Sequence, residues 1–127
     1  MPVANDAARE LGTSAPVNRS YLARFTLGNE ALEREVLELF AAQMPLYVEQ
    51  LRAAAGNKEW KLAAHTIKGS AMAVGAQRLA SLATFAEALL ADHDTGRYER
   101  ARQAAAEDVA VAAQEACDYI ACLFATG

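Results

Sequence analysis

Apolar residues recur every three or four positions through most of the chain beyond residue 17, which is the spacing of amphipathic helices. The longest such run extends from Glu30 to about Ala55, and Asn29 stands before it in the position of an N-cap. Its apolar stripe is Leu32, Val36, Leu39, Phe40, Met44, Val48 and Leu51. Pro45 interrupts the run and predicts a kink near Gln43, because proline removes a backbone hydrogen bond and crowds the preceding turn.

Three further helices are predicted after this run, joined by short connections. Gly56 is expected to end the first helix and Asn57 to cap the next, which runs from about Lys58 to Ala73 and stops before Gly75. The following helix has the apolar face Leu79, Leu82, Ala83, Ala86, Leu89 and Leu90. The turn "ADHDTG" then precedes a last helix with the stripe Tyr98, Ala101, Ala105, Val109, Ala112, Ala116, Ile120 and Leu123.

Four amphipathic helices with short connections bury their stripes together as an all-α, antiparallel four-helix bundle, which we place in residues 18–127. The segment "VNRSYLARF" predicts a short extra N-terminal helix that covers one end of the core through Tyr21, Leu22 and Phe25. Residues 1–17 show no periodicity and are predicted to form a flexible arm. The aromatic residues Phe40, Trp60 and Tyr119 are expected to pack in the core.

Composition narrows the class of partner. The 127 residues suit one domain, and a net charge of −4 provides no basic field for nucleic acid or an anionic membrane surface. No apolar run approaches the ~20 residues of a membrane span, and the first residues lack a signal peptide's features, which favours the cytoplasm. Cys117 and Cys122 lie five positions apart on one helix, so they cannot bridge and are expected to be small buried side chains.

His65 is predicted to face solvent from the middle of the third long segment. The apolar residues of that helix are Trp60, Ala64, Ile67, Ala71 and Val74. At ~100° per residue, His65 lies about 150° from the centre of this stripe. The residues that share its face are Lys58, Lys61, Lys68, Gly69 and Met72.

All three lysines of the chain therefore surround one histidine in an acidic protein. Neighbouring cations oppose protonation of the ring and attract an anion, so each lysine would contribute about 1 kcal/mol to holding a phosphoryl group. Gly69 leaves the backbone bare beside the ring, which gives a bulky partner access. Spacing alone leaves a second interpretation open, namely an ordinary solvated surface histidine.

The stretch "HTIKGSAMAVGA" resembles the signature of histidine-containing phosphotransfer (HPt) domains, H-x-x-K-G-[SA]-x-x-x-[LVI]-G. The matching positions are His65, Lys68, Gly69, Ser70, Val74 and Gly75. The resemblance extends over about residues 18–124, since "EVLELFAAQMPLYVEQLRAA" and "NKEWKLAAHTIKGS" are similar to two successive helices of that family.

The resemblance implies a phosphoryl carrier, rather than an autonomous enzyme, in a two-component phosphorelay. His65 would accept a phosphoryl group from an aspartyl phosphate of a receiver domain, on a hybrid histidine kinase or response regulator, and pass it to another such aspartate. Lys68 would orient and neutralise the phosphoryl oxygens and Gly69 would make room for the receiver. Partner contacts are expected from Lys58, Lys61, Ser70 and Met72, with the Ser70 hydroxyl also able to bond back to the helix, and Gly75 permits the turn. No cofactor or metal is expected in this chain, because Mg²⁺ belongs to the receiver, and the expected state is a monomer.

One position departs from the family pattern, and two rival functions compete with the carrier. Many relatives have a glutamine where Glu87 stands, so this carboxylate is expected either to face away or to disfavour the phosphorylated form. An enzyme using His65 as base or nucleophile would need an orienting acid, and no carboxylate lies three or four residues from it. A non-catalytic helical docking module for a signalling partner stays open. His93 is predicted to be a solvated loop residue, and the histidines and cysteines lack the spacing of a metal site.

Overall fold

The structure, a computed structural model, describes residues 15–89 and 95–125. These residues form five helices and no strand, which confirms the all-α class. The helices are α1 Arg19–Thr26, α2 Glu30–Ala53, α3 Asn57–Val74, α4 Gln77–Glu87 and α5 Thr95–Phe124. None of the helices in the two described stretches is both long and apolar enough to cross a bilayer.

The four long helices form a closed bundle. α3 packs against α2 and α4, and α5 packs against the same two helices from the other side of the core. The face of α5 that enters the core is mostly alanine: Ala105, Ala106, Ala112, Ala113 and Ala116 are each no more than 6% exposed. Small side chains let neighbouring helices approach closely, so the alanine content serves packing as well as helix propensity.

α1 closes one end of the bundle and lies against α2 and α3. Leu22 and Val17 are 2% and 1% exposed, so both belong to the core. Tyr21 is half-buried, whereas Phe25 is 63% exposed, and its predicted core role is wrong. The reason is that α1 is short and buries only one side against the bundle; Leu22 lies on that side and Phe25 does not. Residues 1–14 of the predicted arm lie outside the described residues.

The buried face of α2 differs from the predicted stripe. Phe40, Met44, Val48 and Leu51 are buried as expected, and Val36 is partly buried. Leu32 and Leu39 are exposed by 40% and 57%, while the unpredicted Leu37 is fully buried. α2 carries apolar residues at helical spacing on two faces, and periodicity alone does not tell which face meets the core. The helix continues through Pro45 as one element, and the kink near Gln43 stays a prediction.

The helix junctions confirm one predicted cap and correct two. The Asn29 side chain accepts a hydrogen bond from the Leu32 N–H at 3.0 Å, as expected of an N-cap. α2 ends earlier than predicted, with Ala54 as its extended C-cap. Gly56 is therefore the N-cap of α3, with φ of −113°, and Asn57 is the first residue inside that helix.

The faces of α4 and α5 largely follow the prediction. Leu79, Ala83 and Ala86 are buried in α4, with Leu82 partly buried. The helix ends at Glu87, so the partly buried Leu89 follows it instead of lying on its face as predicted, and Leu90 and His93 lie outside the described residues. α5 already begins at Thr95, inside the predicted turn. Buried positions of α5 run from Arg102 to Ile120, with Tyr98, Ala101 and Leu123 only partly buried at the ends of the predicted stripe.

The two cysteines are both free, as predicted, but only one of them is sheltered. Cys117 is half-buried, and burial raises the pKa of its thiol. Cys122 is exposed, so its predicted burial is wrong, because it lies two positions after the buried Ile120 and turns to the outer face of α5.

Candidate functional site

His65 lies in the middle of α3 and faces outward. Its side chain is 62% exposed, while Ala64 and Ile67 beside it are completely buried. All five residues of the predicted α3 stripe, from Trp60 to Val74, are buried, so the orientation deduced from the helical period is confirmed. The sequence places the ring outward because every fourth or third position on the opposite side of α3 is apolar.

Glu87, the last residue of α4, reaches the histidine from the neighbouring helix. Its Oε2 atom lies 3.1 Å from His65 Nδ1, and its Oε1 atom accepts a hydrogen bond from Lys68 Nζ at 3.0 Å. The carboxylate therefore does not face away from the ring. Spacing within α3 predicts no acid beside His65, yet one is present because α4 supplies it.

Glu87 is ionised at neutral pH. The hydrogen bond from Lys68 does most to lower the pKa of this carboxyl, with a smaller contribution from His65, and together they outweigh the desolvation that would raise it. An ionised carboxylate only accepts hydrogen bonds, so in the neutral ring the proton is on Nδ1 and Nε2 keeps its lone pair. The exposed ring therefore presents a nucleophilic nitrogen to solvent.

The lysines contribute unequally to the site. Lys68 is 26% exposed at its side chain and is engaged by Glu87, whereas Lys58 and Lys61 are exposed and form no ion pair with the described residues. The field around His65 is thus less positive than the three lysines alone suggest, because the carboxylate from α4 offsets one of them. Spacing along α3 could not reveal this partner.

Gly69 and Gly75 differ in what surrounds them. A Cβ atom on Gly69 would meet no atom within 4 Å, so the surface beside His65 is open. Gly75 has φ of +74° and forms the left-handed C-cap of α3. A Cβ atom there would lie 2.9 Å from backbone and side-chain atoms of Asn18, whose N–H donates to the Gly75 carbonyl at 3.0 Å. Gly75 therefore permits the turn between α3 and α4 and also the close contact with Asn18 at the start of α1.

The remaining predicted site residues lie on or near the same face. Met72 lies about two helical turns beyond His65 on the same face and is 53% exposed, and Ser70 is half-buried. Among the described residues the Ser70 hydroxyl makes no hydrogen bond; in this stretch Thr66 donates to the backbone instead, to Leu62 O at 2.9 Å. A cavity of about 180 Å³ opens beside Met72, and its lining is mainly small: Tyr21, Ala71, Met72, Gly75, Ala76, Gln77 and Ala80.

The Hpt domain family model matches residues 35–121, which include most of the bundle and the residues around His65. No curated protein and no solved structure matches the chain significantly. Members of the family take part in phosphotransfer in phosphorelays and typically interact with receiver domains. Because the match covers more than half of the 127 residues, the chain belongs to the family of Hpt domains, which are phosphocarrier modules rather than autonomous enzymes.

Proposed function

We propose that the chain is a histidine phosphotransfer protein in which His65 accepts a phosphoryl group from a receiver-domain aspartyl phosphate and passes it to another receiver-domain aspartate. The observation that supports this most is the exposed ring whose Nδ1 is held by Glu87. A ring fixed in this way directs the free lone pair of Nε2 toward any partner that approaches α3.

The proposed step is an in-line displacement. The Nε2 lone pair of His65 attacks phosphorus, the bond from phosphorus to the aspartate oxygen breaks, and the aspartate leaves as a carboxylate. The Nδ1 proton stays on the ring, so the phosphorylated imidazole carries a positive charge that the Glu87 carboxylate, 3.1 Å away, balances. Transfer to the next aspartate reverses these bond changes. Such chemistry depends on positioning and charge more than on covalent assistance, and Mg²⁺ is supplied by the receiver.

Lys68 can pair with two anions, the Glu87 carboxylate and the phosphoryl group. In the unphosphorylated protein its ammonium group donates to Glu87 at 3.0 Å. A phosphoryl group on Nε2 brings a second, more highly charged acceptor onto the same face, because Lys68 lies three residues from His65 and shares that face. Lys68 thus neutralises part of the phosphoryl charge, while Glu87 repels it. Because these two effects oppose each other, the phosphohistidine is only weakly stabilised and can pass its phosphoryl group on.

The receiver is expected to cover the face of α3 on both sides of His65. A standard interface buries about 800 Å² on each partner, which corresponds to a patch roughly 16 Å in radius. Lys58 and Met72 each lie seven residues, about 10 Å, from His65 and so fall within such a patch. The lysine side suits the acidic rim of a receiver, and the cavity beside Met72 suits an apolar side chain. Gly69 leaves the centre open.

One observation favours a second candidate, a helical docking module without phosphoryl chemistry. The Glu87 carboxylate stands where a neutral side chain would serve a phosphorylated ring better, and its ionised state opposes a second anion. A module of this kind would bind receiver domains through the same face but would never carry the label. Binding and labelling therefore have to be measured together.

The test is to incubate the protein with each receiver domain of the source organism, phosphorylated beforehand with radiolabelled acetyl phosphate and freed of that donor, and to follow the label. The proposal expects acid-labile, alkali-stable label on the parent protein and on His93→Gln, and none on His65→Gln. His93 is the only other histidine and so provides the matched control. Receiver binding without any label on the parent would establish the docking module instead.

A further inference from the structure

Two aromatic side chains hold the end of α4 that carries Glu87. The Trp60 Nε1–H donates to the carbonyl oxygen of Ala86 at 2.6 Å, and the Tyr98 hydroxyl lies 3.1 Å from the carbonyl oxygen of Leu89. These carbonyls stand directly before Glu87 and two residues after it. The Ala86 carbonyl also accepts from the Leu89 N–H at 3.0 Å, so the end of α4 is held by backbone turns and, in addition, by these two side chains. Because the final turn of a helix frays easily, contacts from neighbouring helices add to its rigidity.

A buried arginine joins the two rings. The Arg102 guanidinium lies 4.6 Å from the Trp60 ring centre and 4.5 Å from that of Tyr98, and its Nη2 donates to Gly56 O at 3.0 Å. Arg102 is 5% exposed and forms no ion pair with the described residues. The Tyr98 hydroxyl also lies 2.9 Å from Asn57 Oδ1, which ties it to the first turn of α3. Arg102 therefore fills the space between the rings and braces them against the start of α3.

We propose that Trp60 and Tyr98 are positioning residues that hold the Glu87 carboxylate against His65. Trp60 belongs to α3, five residues before His65, so its hydrogen bond fixes the end of α4 relative to the helix that carries the ring. Glu87 makes both of its contacts, to His65 and Lys68, across this α3–α4 seam. The inference concerns the same site and rests on the proposed function of His65.

The consequence is control of the ring's tautomer. Without a carboxylate at Nδ1, a neutral histidine side chain places its proton preferentially on Nε2, where it blocks the nitrogen that faces the partner. Loosening α4 lengthens the contact between Glu87 and His65 and shifts the ring toward that blocked form. Trp60 and Tyr98 would thus act on reactivity without touching the phosphoryl group.

The experiment compares Trp60→Phe and Tyr98→Phe with the parent and with Glu87→Ala. NMR of the ring nitrogens of His65 measures the tautomer, and labelling by phosphoramidate, a small donor that needs no docking, measures reactivity. Both phenylalanine variants are expected to raise the fraction with Nε2 protonated and to slow labelling about three- to tenfold. In the Glu87→Ala background neither substitution should change the tautomer further, because the carboxylate through which it acts is gone.

Tyr119→Phe is the matched control, since it also removes the hydroxyl of a half-buried tyrosine on α5 but lies far along the helix from Tyr98. It should leave the tautomer of His65 unchanged. The proposal is overturned if Trp60→Phe and Tyr98→Phe lower only the melting temperature, or if their effect persists without Glu87. If no donor phosphorylates the parent protein but the two phenylalanine variants still shift the tautomer of His65, the proposed function is refuted and the positioning role stands.

Discussion

Replacing Glu87 with glutamine isolates the effect of one charge on the phosphorylated site. Glutamine has the same shape, and its amide oxygen can still accept the hydrogen bond from His65 Nδ1 that Glu87 Oε2 accepts at 3.1 Å. The orientation of the ring is therefore retained. What disappears is the negative charge near the phosphoryl group and the competitor for the Lys68 ammonium.

The size of the effect follows from distance and exposure. A phosphoryl group on Nε2 carries about two negative charges and lies roughly 6 Å from the Glu87 carboxylate, so the two repel by about 1.4 kcal/mol in water and about 6 kcal/mol at an effective dielectric constant near 20. The protonated ring attracts the same carboxylate and offsets part of this repulsion, whereas the Lys68 ammonium that the carboxylate now holds is a favourable contact withheld from the phosphoryl group, so the net effect of the charge is about 1 kcal/mol in water. Because the His65 side chain is 62% exposed, the value nearer to water applies. A change of about 1 kcal/mol corresponds to roughly a fivefold shift in equilibrium.

The assay is the equilibrium distribution of radiolabelled phosphate between a receiver domain and the chain, read after electrophoretic separation. Glu87→Gln should shift this ratio about fivefold toward phosphohistidine. Glu115→Gln removes the same charge from an exposed position on α5 and should leave the ratio unchanged. An unaltered ratio for Glu87→Gln, or a shift toward the receiver, would refute the electrostatic reasoning.

Three further outcomes are expected. Met72→Glu should slow transfer from a phosphorylated receiver about fivefold or more while leaving phosphoramidate labelling intact, whereas Val111→Glu, of similar exposure on α5, should change neither; equal slowing by both would remove Met72 from the interface. Gly69→Ala should stabilise α3 by up to ~1 kcal/mol in urea unfolding yet slow transfer, and unchanged transfer would deny that the bare backbone serves access. Gly75→Ala should destabilise the fold by at least about 1–2 kcal/mol, because its φ is positive and the added Cβ would clash with the backbone of Asn18. The pKa of Glu87 is lowered in the folded state, so its pairing stabilises the protein above the ordinary carboxyl pKa, and this contribution is lost as pH falls through the lowered value. The difference in unfolding free energy between the parent and Glu87→Gln should therefore shrink on acidification. A constant difference from neutral to acidic pH would contradict this reasoning.

The sequence alone predicts the buried face of a helix correctly when the helix has one apolar face. α3 is such a helix, so its period alone oriented His65 correctly. α2 is not, because Leu32 and Leu39 form a second apolar row that remains exposed, while the buried Leu37 falls outside the predicted stripe. Which row is buried depends on where α3 and α5 lie, and this is information of tertiary packing rather than of spacing.

Contacts between helices were harder to predict than faces. Glu87 meets His65 because α3 and α4 form a hairpin and both residues lie eleven positions from Ala76, at its turn. That symmetry was available in the sequence and could have placed the carboxylate at the ring. The burial of Arg102 did have a signal, because it lies four residues after Tyr98 and three before Ala105 and so shares the predicted apolar face of α5. Its contact with the Trp60 ring had none, because that ring belongs to another helix.

The alanine face of α5 has a practical consequence. An alanine side chain has no torsion angle with which to rearrange, so this part of the interior has a single arrangement and cannot adapt to strain by changing rotamers. The methyl groups of Ala105, Ala112 and Ala116 should therefore each give one sharp NMR resonance. Isotope labels on these methyls would register any movement of the scaffold when His65 is loaded, with no bulky probe added to the protein.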